Sequence, residues 1–182
     1  MKVCLQLADG FEEIEAISVV DILRRADIEV QMVSIMGKKE VVGAHNITVI
    51  ADVLFDHVDY SNVDMVVLPG GGVGTRNMAE HAGLIQQLKK QAMDGKWIAA
   101  ICAAPTILGK LGLLEGKSAV CYPGCEPQLT GANVNSAPSV IVDGKIITSR
   151  GPGTSLEFGL KIVGVLKGLE VVNGLREQMI VA

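Results

Sequence analysis

The sequence predicts an α/β fold with a mostly parallel sheet, and its first 34 residues carry much of that prediction. An apolar strand pattern, a helical pattern and a second strand pattern follow one another there, which is the βαβ order whose crossover is right-handed in nearly all proteins. The second observation is that strands and helices keep alternating to the end of the chain, giving helices to cover the sheet. A length of 182 residues fits one domain with a well-developed core, since chains usually divide only above roughly 250 residues.

Lys2 to Leu7 opens the fold as a β-branched, apolar strand closed by Ala8-Asp9-Gly10, a turn signal. From Glu12 to Ala26 the spacing of Ile14, Ile17, Val20 and Leu23 predicts a helix, and Ile28 to Ser34 predicts the second strand. Lys38 to Ala51 reads as one or two short edge strands around Gly43, and Asp52 to Asn62 as loop or a short helical turn. Asp64 to Leu68 is a buried strand that runs into the glycine loop Pro69-Gly-Gly-Gly-Val-Gly74. A helix is expected over Met78 to Met93 and a strand over Lys96 to Ile101, with a further helix from Pro105 to Lys110. Ser118 to Cys121 reads as a short strand, and Asp143-Gly144 between two apolar runs predicts a hairpin. Helices over Ser155 to Lys167 and Leu169 to Gln178 complete the chain.

Composition removes several classes of function. The net charge is −4, from 16 basic and 20 acidic residues without a basic cluster, which argues against nucleic-acid or anionic-membrane partners. The longest apolar run, Trp97 to Leu108, holds Pro105 and is shorter than the roughly 18 residues of a membrane span. The apolar region at the N-terminus is too short for a signal peptide, and four cysteines are too few for a disulfide scaffold, so a cytoplasmic, reduced setting is expected.

Cys102 is where chemistry is expected. It ends the apolar run Trp97-Ile-Ala-Ala-Ile101 and precedes Ala103-Ala-Pro-Thr106, a strand-to-helix turn of the kind that presents nucleophiles. Helix N–H groups there favour thiolate, although the segment fits an inert buried thiol equally well. Ligands of open α/β sheets bind beyond the carboxyl ends of the strands, and Ala8–Glu15, Pro69–Gly74 and Cys102–Thr106 all end on that edge. Of the three early glutamates, Glu12 and Glu13 read as a solvated acidic turn that suits the helix dipole. Glu15 lies on the flank of the apolar stripe, where partial burial would raise its pKa and hold a proton beside a thiolate.

The glycine loop lacks the closing Lys-Ser/Thr of a phosphate cradle and the G-x-G-x-x-G pattern, so it is better suited to offer an amide to an oxyanion. Cys121 and Cys125 match no zinc spacing, and no metal is expected; either thiol, if near, would resolve an oxidised Cys102. His45, His57 and His81 all precede Cys102 and none is placed as its base, which disfavours a Cys-His hydrolase. Tyr122, Trp97 and the methionines read as packing residues.

Phe11-Glu-Glu-Ile-Glu15, Val67-Leu-Pro-Gly-Gly71, Ala99-Ala-Ile-Cys-Ala-Ala-Pro105 and Thr148-Ser-Arg-Gly-Pro-Gly-Thr-Ser155 together resemble the ThiJ/PfpI superfamily, in the branch that holds the human parkinsonism-associated protein deglycase and the bacterial YajL-like proteins. The resemblance runs nearly end to end. It implies a flavodoxin-like three-layer sandwich over residues 1–182 as one domain of class I glutamine amidotransferase type, and a homodimer. It further implies Cys102 as the nucleophilic, oxidation-sensitive thiol, a protonated Glu15 hydrogen-bonded to the sulfur, and an oxyanion held by the amides of Gly71 and Ala103. The implied activity is a cofactor-independent glyoxalase or deglycase acting on methylglyoxal, glyoxal or their adducts with thiols and protein amines. The alternative it implies is an oxidative-stress sensor or redox-regulated chaperone using the same thiol. Tyr122 stands where many members of the branch carry a histidine, and Ala103 where the protease-like branch has one, so amidase and protease activities are not implied.

Overall fold

A computed structural model describes residues 1–181. Strand β1 (Lys2–Leu7), helix α1 (Glu13–Arg25) and strand β2 (Glu29–Ser34) form the expected βαβ unit, with β1 and β2 parallel and Leu5 opposite Met32. Successive side chains of a strand point to opposite faces, and β1 uses both. Val3, Leu5 and Leu7 enter one apolar core, whereas Cys4 and, just beyond the strand, Ala8 enter a second. A sheet buried on both faces with helices over each is a three-layer sandwich.

The remaining elements are β3 (Glu40–Val42), β4 (Thr48–Ile50), β5 (Val53–Leu54), β6 (Met65–Leu68), α2 (Gly72–Glu80), α3 (Ala82–Met93), β7 (Trp97–Ile101), α4 (Pro105–Lys110), β8 (Ser118–Ala119), β9 (Asn133–Val134), β10 (Val140–Asp143), β11 (Ile146–Ser149), α5 (Ser155–Lys167) and α6 (Leu169–Met179). The central sheet has seven strands in the order β10-β11-β7-β6-β1-β2-β5. All neighbours are parallel except the β10–β11 hairpin, which turns at Asp143-Gly144 as the sequence predicts. The carboxyl ends of β1, β6, β7 and β11 therefore lie on one edge. No helix among the described residues is long and apolar enough to cross a membrane.

Four local expectations are corrected. Residues 38–51 do not edge the main sheet: β3 and β4 pair with each other as a separate antiparallel ribbon, and the sheet's edge is β5, in a stretch read as loop or a helical turn. The helix expected over Met78 to Met93 is two helices. The chain is extended at His81, whose Nδ1 accepts from the Leu84 amide at 3.0 Å and starts α3 anew. The strand expected at Ser118 to Cys121 is only the two residues of β8, paired in parallel with β9 outside the main sheet. Finally, the buried face of α1 is formed by Ala16, Val19, Val20, Ile22 and Leu23, while Ile14 and Ile17 are 55% and 41% exposed.

Candidate thiol site at the carboxyl edge of the sheet

Cys102 follows the last residue of β7 and adopts φ +66°, the left-handed region that costs a non-glycine residue on the order of 1–3 kcal/mol. Two backbone bonds hold it there. Its amide donates to the Ser149 carbonyl at 3.0 Å, and its carbonyl accepts from the Tyr122 amide at 2.8 Å. The turn is thus clamped between β11 and the loop after β8. The thiol is 8% exposed.

The glycine loop is shaped around this thiol. A Cβ on Gly70 would lie 2.5 Å from the Cys102 Cβ and 2.6 Å from Glu15 Oε2, so only glycine fits between nucleophile and carboxyl. Gly71 has φ +91° and caps α2, a conformation that glycine adopts without steric cost. Its amide and that of Ala103 face the Cys102 sulfur and favour its charged form. The Glu12 amide donates to the Gly70 carbonyl at 3.0 Å, tying the start of α1 to the same loop.

Glu15, in the first turn of α1, is fully buried. Its Oε2 accepts from the Gly70 amide at 2.7 Å, and its Oε1 has no hydrogen-bond partner among the described residues. Burial pushes the carboxyl up to about 7, against the lowering effect of the Gly70 amide and the Cys102 thiol. Burial likewise pushes Cys102 up to about 12, and the adjoining Glu15 adds to the rise, while the Gly71 and Ala103 amides oppose it. The sequence-based expectation that helix N–H groups would favour thiolate is thus outweighed by burial and a neighbouring carboxylate. A carboxylate disfavours the thiolate; a protonated carboxyl donates to it. Losing the first proton therefore leaves one proton between carboxyl and sulfur, the arrangement of a coupled acid pair.

Cys102, Glu15, Gly71 and Ala103, each singled out from the sequence, are brought together. Cys121 is buried, and Cys125 is half-buried and lines a cleft of about 540 Å³ together with Gly72, Arg76, Ala103, Thr106 and Lys110. The histidines serve elsewhere. His45 lies between β3 and β4 against Glu13, His81 caps α3, and no histidine is among the groups that shift Cys102. Tyr122 is 48% exposed and rims a small pocket with Arg150 and Pro152.

Glu12 and Glu13 correct the expectation of a solvated acidic turn, being 9% and 6% exposed. The β3–β4 ribbon covers them. Gly10 donates to the Val42 carbonyl at 2.7 Å, and Ala44 to the Phe11 carbonyl at 2.8 Å. The His45 amide and ring reach Glu13 at 2.7 and 2.9 Å. No short-range signal marks this burial, because it is made by a segment some thirty residues away; Gly43, whose Cβ would collide with the Glu13 carboxylate, is the one trace of it in the sequence. Glu12, Glu13 and His45 also form a grouping of metal-ligating side chains among the described residues.

Known proteins match nearly the whole chain, the loops of this site included. The model of the DJ-1/PfpI family matches residues 1–164. Protein dj-1beta of Drosophila melanogaster is 41% identical over 177 residues, covering 97% of this chain and 95% of that protein. The crystal structure of Drosophila melanogaster DJ-1beta superposes with a TM-score of 0.96 at 40% identity, covering 100% of this chain and 98% of that chain. Protein DJ-1 homolog B of Arabidopsis thaliana is 41% identical over 170 residues, 93% of this chain, which spans only 39% of that protein's length. The glutathione-independent glyoxalase DJR-1.2 of Caenorhabditis elegans is 33% identical over 171 residues, covering 94% of this chain and 91% of that protein. With the same flavodoxin-like architecture and a match that takes in every loop around Cys102, the chain belongs to the DJ-1/PfpI family.

Proposed function

We propose that the protein is a cofactor-independent glyoxalase or deglycase that acts on methylglyoxal, glyoxal or their adducts through Cys102. The observation that carries this reading is the pairing of a clamped thiol with a fully buried Glu15, with two backbone amides at the sulfur. A relative named as a glutathione-independent glyoxalase adds weight.

Proton transfer from Cys102 to Glu15 gives the attacking thiolate, whose sulfur adds to the aldehyde carbon of methylglyoxal. The Gly71 and Ala103 amides stabilise the oxyanion, which takes the Glu15 proton to give a neutral hemithioacetal. The Glu15 carboxylate then removes the hydrogen from the former aldehyde carbon and returns a proton to the neighbouring carbon, while the hemithioacetal hydroxyl gives up its proton to the ketone oxygen, so that the ketone becomes an alcohol and the former aldehyde carbon a thioester carbonyl. The product is a lactoyl thioester on Cys102. Water cleaves it, releasing lactate and the thiol, so methylglyoxal and water become lactate with no external oxidant. Incubation with methylglyoxal is expected to yield lactate of one dominant configuration. Turnover no greater than that of a Cys102→Ser control overturns the proposal.

The same features support a second reading, a redox sensor or redox-regulated chaperone. The two amides that meet the sulfur would also hold the oxygens of a sulfinic acid. Intact mass after mild peroxide is expected to show two oxygens on Cys102 before the other thiols react; oxidation that spares Cys102 sinks this alternative. A homodimer belongs to the proposal too, supported by Ile14 and Ile17, exposed one turn apart on α1. Light scattering should give twice the chain mass, falling to one chain in Ile17→Glu.

A further inference from the structure

The geometry points to a second site, a divalent transition-metal site formed by Glu12, Glu13 and His45 where the β3–β4 ribbon crosses the start of α1. His45 Nδ1 lies 2.9 Å from Glu13 Oε2 and 3.7 Å from Glu12 Oε2, and one ligand atom from each of the three residues falls within 4.8 Å of the others. Ligands about 2.0–2.1 Å from a tetrahedral zinc ion stand roughly 3.3 Å apart. The two observed separations bracket that spacing and the third pair lies within 4.8 Å, so side-chain adjustment alone can admit an ion.

The surroundings favour an ion over a simple ion pair. Glu13 is anchored from behind, its Oε1 accepting from the His45 amide at 2.7 Å and leaving Oε2 turned toward the ring. Glu12 differs. Its side chain is 11% exposed, it accepts no hydrogen bond within the described residues, and its ion-pair partner is the His45 ring at 3.7 Å. A carboxylate removed from water without donors calls for a cation. Among the described residues the His45 ring is the one cation paired with it, and Glu13 already occupies the ring's Nδ1. Two adjacent carboxylates facing one imidazole make a donor set of mixed oxygen and nitrogen, which suits zinc and its neighbours in the first row better than magnesium or calcium. His45 is 68% exposed on its side chain, which leaves an approach for the ion and an open coordination position for water. The cysteine spacings that argue against a zinc site at Cys121 and Cys125 have no bearing on this cluster.

The test is direct binding of Zn²⁺ to tag-free protein, measured by competition with a chromophoric chelator, in the wild-type chain and in Glu12→Gln, His45→Ala and Cys102→Ser. One saturable site per chain is expected, kept in Cys102→Ser and weakened at least about tenfold in His45→Ala and Glu12→Gln, comparable to the effect of losing supporting groups at known sites. Absence of saturable binding overturns the inference. So does binding that survives His45→Ala but disappears in Cys102→Ser, which would place the ion on the thiol. Circular dichroism of each variant separates loss of a ligand from loss of fold. Because binding is read without substrate, the outcome is independent of whether methylglyoxal is turned over.

Discussion

Glu13 and Glu15 stand two residues apart at the start of α1, 6% and 0% exposed, yet they lie on opposite sides of the ordinary carboxylate range. Burial lifts Glu15 to about 7, and the Gly70 amide with the Cys102 thiol recovers only part of the shift. Burial pushes Glu13 upward too, but the His45 ring and the amides of His45, Glu13 and Ile47 together outweigh it and hold the carboxyl below its usual value. Depth and donors together decide the protonation state: Glu15 lies deep with few donors, whereas Glu13 lies nearer the surface with several. One carboxyl is kept as an acid beside a nucleophile, and the other as an anion beneath a ribbon.

The sharpest way to break this contrast is Glu15→Gln, which keeps the shape and removes the titrating proton. Loss of a positioned acid–base group costs roughly 10²–10⁴-fold in rate, and lactate formation should fall within that range. Stability supplies a second measure. A carboxyl whose folded pKa is raised stabilises the fold below its unfolded pKa, and that contribution fades as pH rises to the folded value. The window here runs from the ordinary glutamate value of 4.5 to about 7. At about 1.4 kcal/mol per unit, the wild-type advantage over Glu15→Gln should shrink by about 3 kcal/mol across it. Urea denaturation at a series of pH values measures this, and a constant difference would show that Glu15 does not hold the proton assigned to it.

Gly70→Ala should come next in size. Its Cβ would sit between the Cys102 Cβ and Glu15 Oε2, and overpacking of that kind costs typically about 1–3 kcal/mol. Turnover should fall further than stability, because the pair is pushed apart. Gly72→Ala, where nothing lies within 4 Å of the added carbon, is the matched control and should leave stability nearly unchanged. Equal effects at the two positions would mean that Gly70 serves the loop's backbone rather than the gap between thiol and carboxyl.

What could be read from the sequence follows the range of the forces involved. The βαβ start, the Asp143-Gly144 hairpin and the turn at Cys102 are written locally, in apolar periodicity and turn chemistry, and all three stand in the fold. Glu15 was legible because it lies on the flank of an apolar stripe, although Ile14 and Ile17, counted in that stripe, are in fact exposed. The break at His81 was hidden, since Met78 to Met93 keeps helical spacing across it and the imidazole cap leaves no motif. Burial of Glu12 and Glu13 was hidden more deeply. It depends on residues 40–50 folding over the start of α1, and a glutamate beneath a ribbon looks the same in sequence as a glutamate in water.

The mildest substitution, His45→Ala, tests the other half of the comparison. It removes the ring that donates to Glu13 and leaves the backbone amides at positions 45 and 47 in place, so the Glu13 pKa should rise. The sign follows from the direction of each shift. Glu13 is lowered, so its contribution is present above its unfolded pKa and is lost as pH falls through its folded one. His45 is raised, mainly by its hydrogen bond to Glu13, so its contribution is present below its unfolded pKa and is lost as pH rises through its folded one. The wild-type advantage over His45→Ala should therefore peak in mildly acidic solution and decline on both sides. The acid-unfolding midpoint of the variant should also move to higher pH. Thermal shift across the acid range resolves both features. A difference that is flat with pH would mean that the amides alone keep Glu13 ionised, and that the ribbon rather than the ring sets the two carboxyls apart.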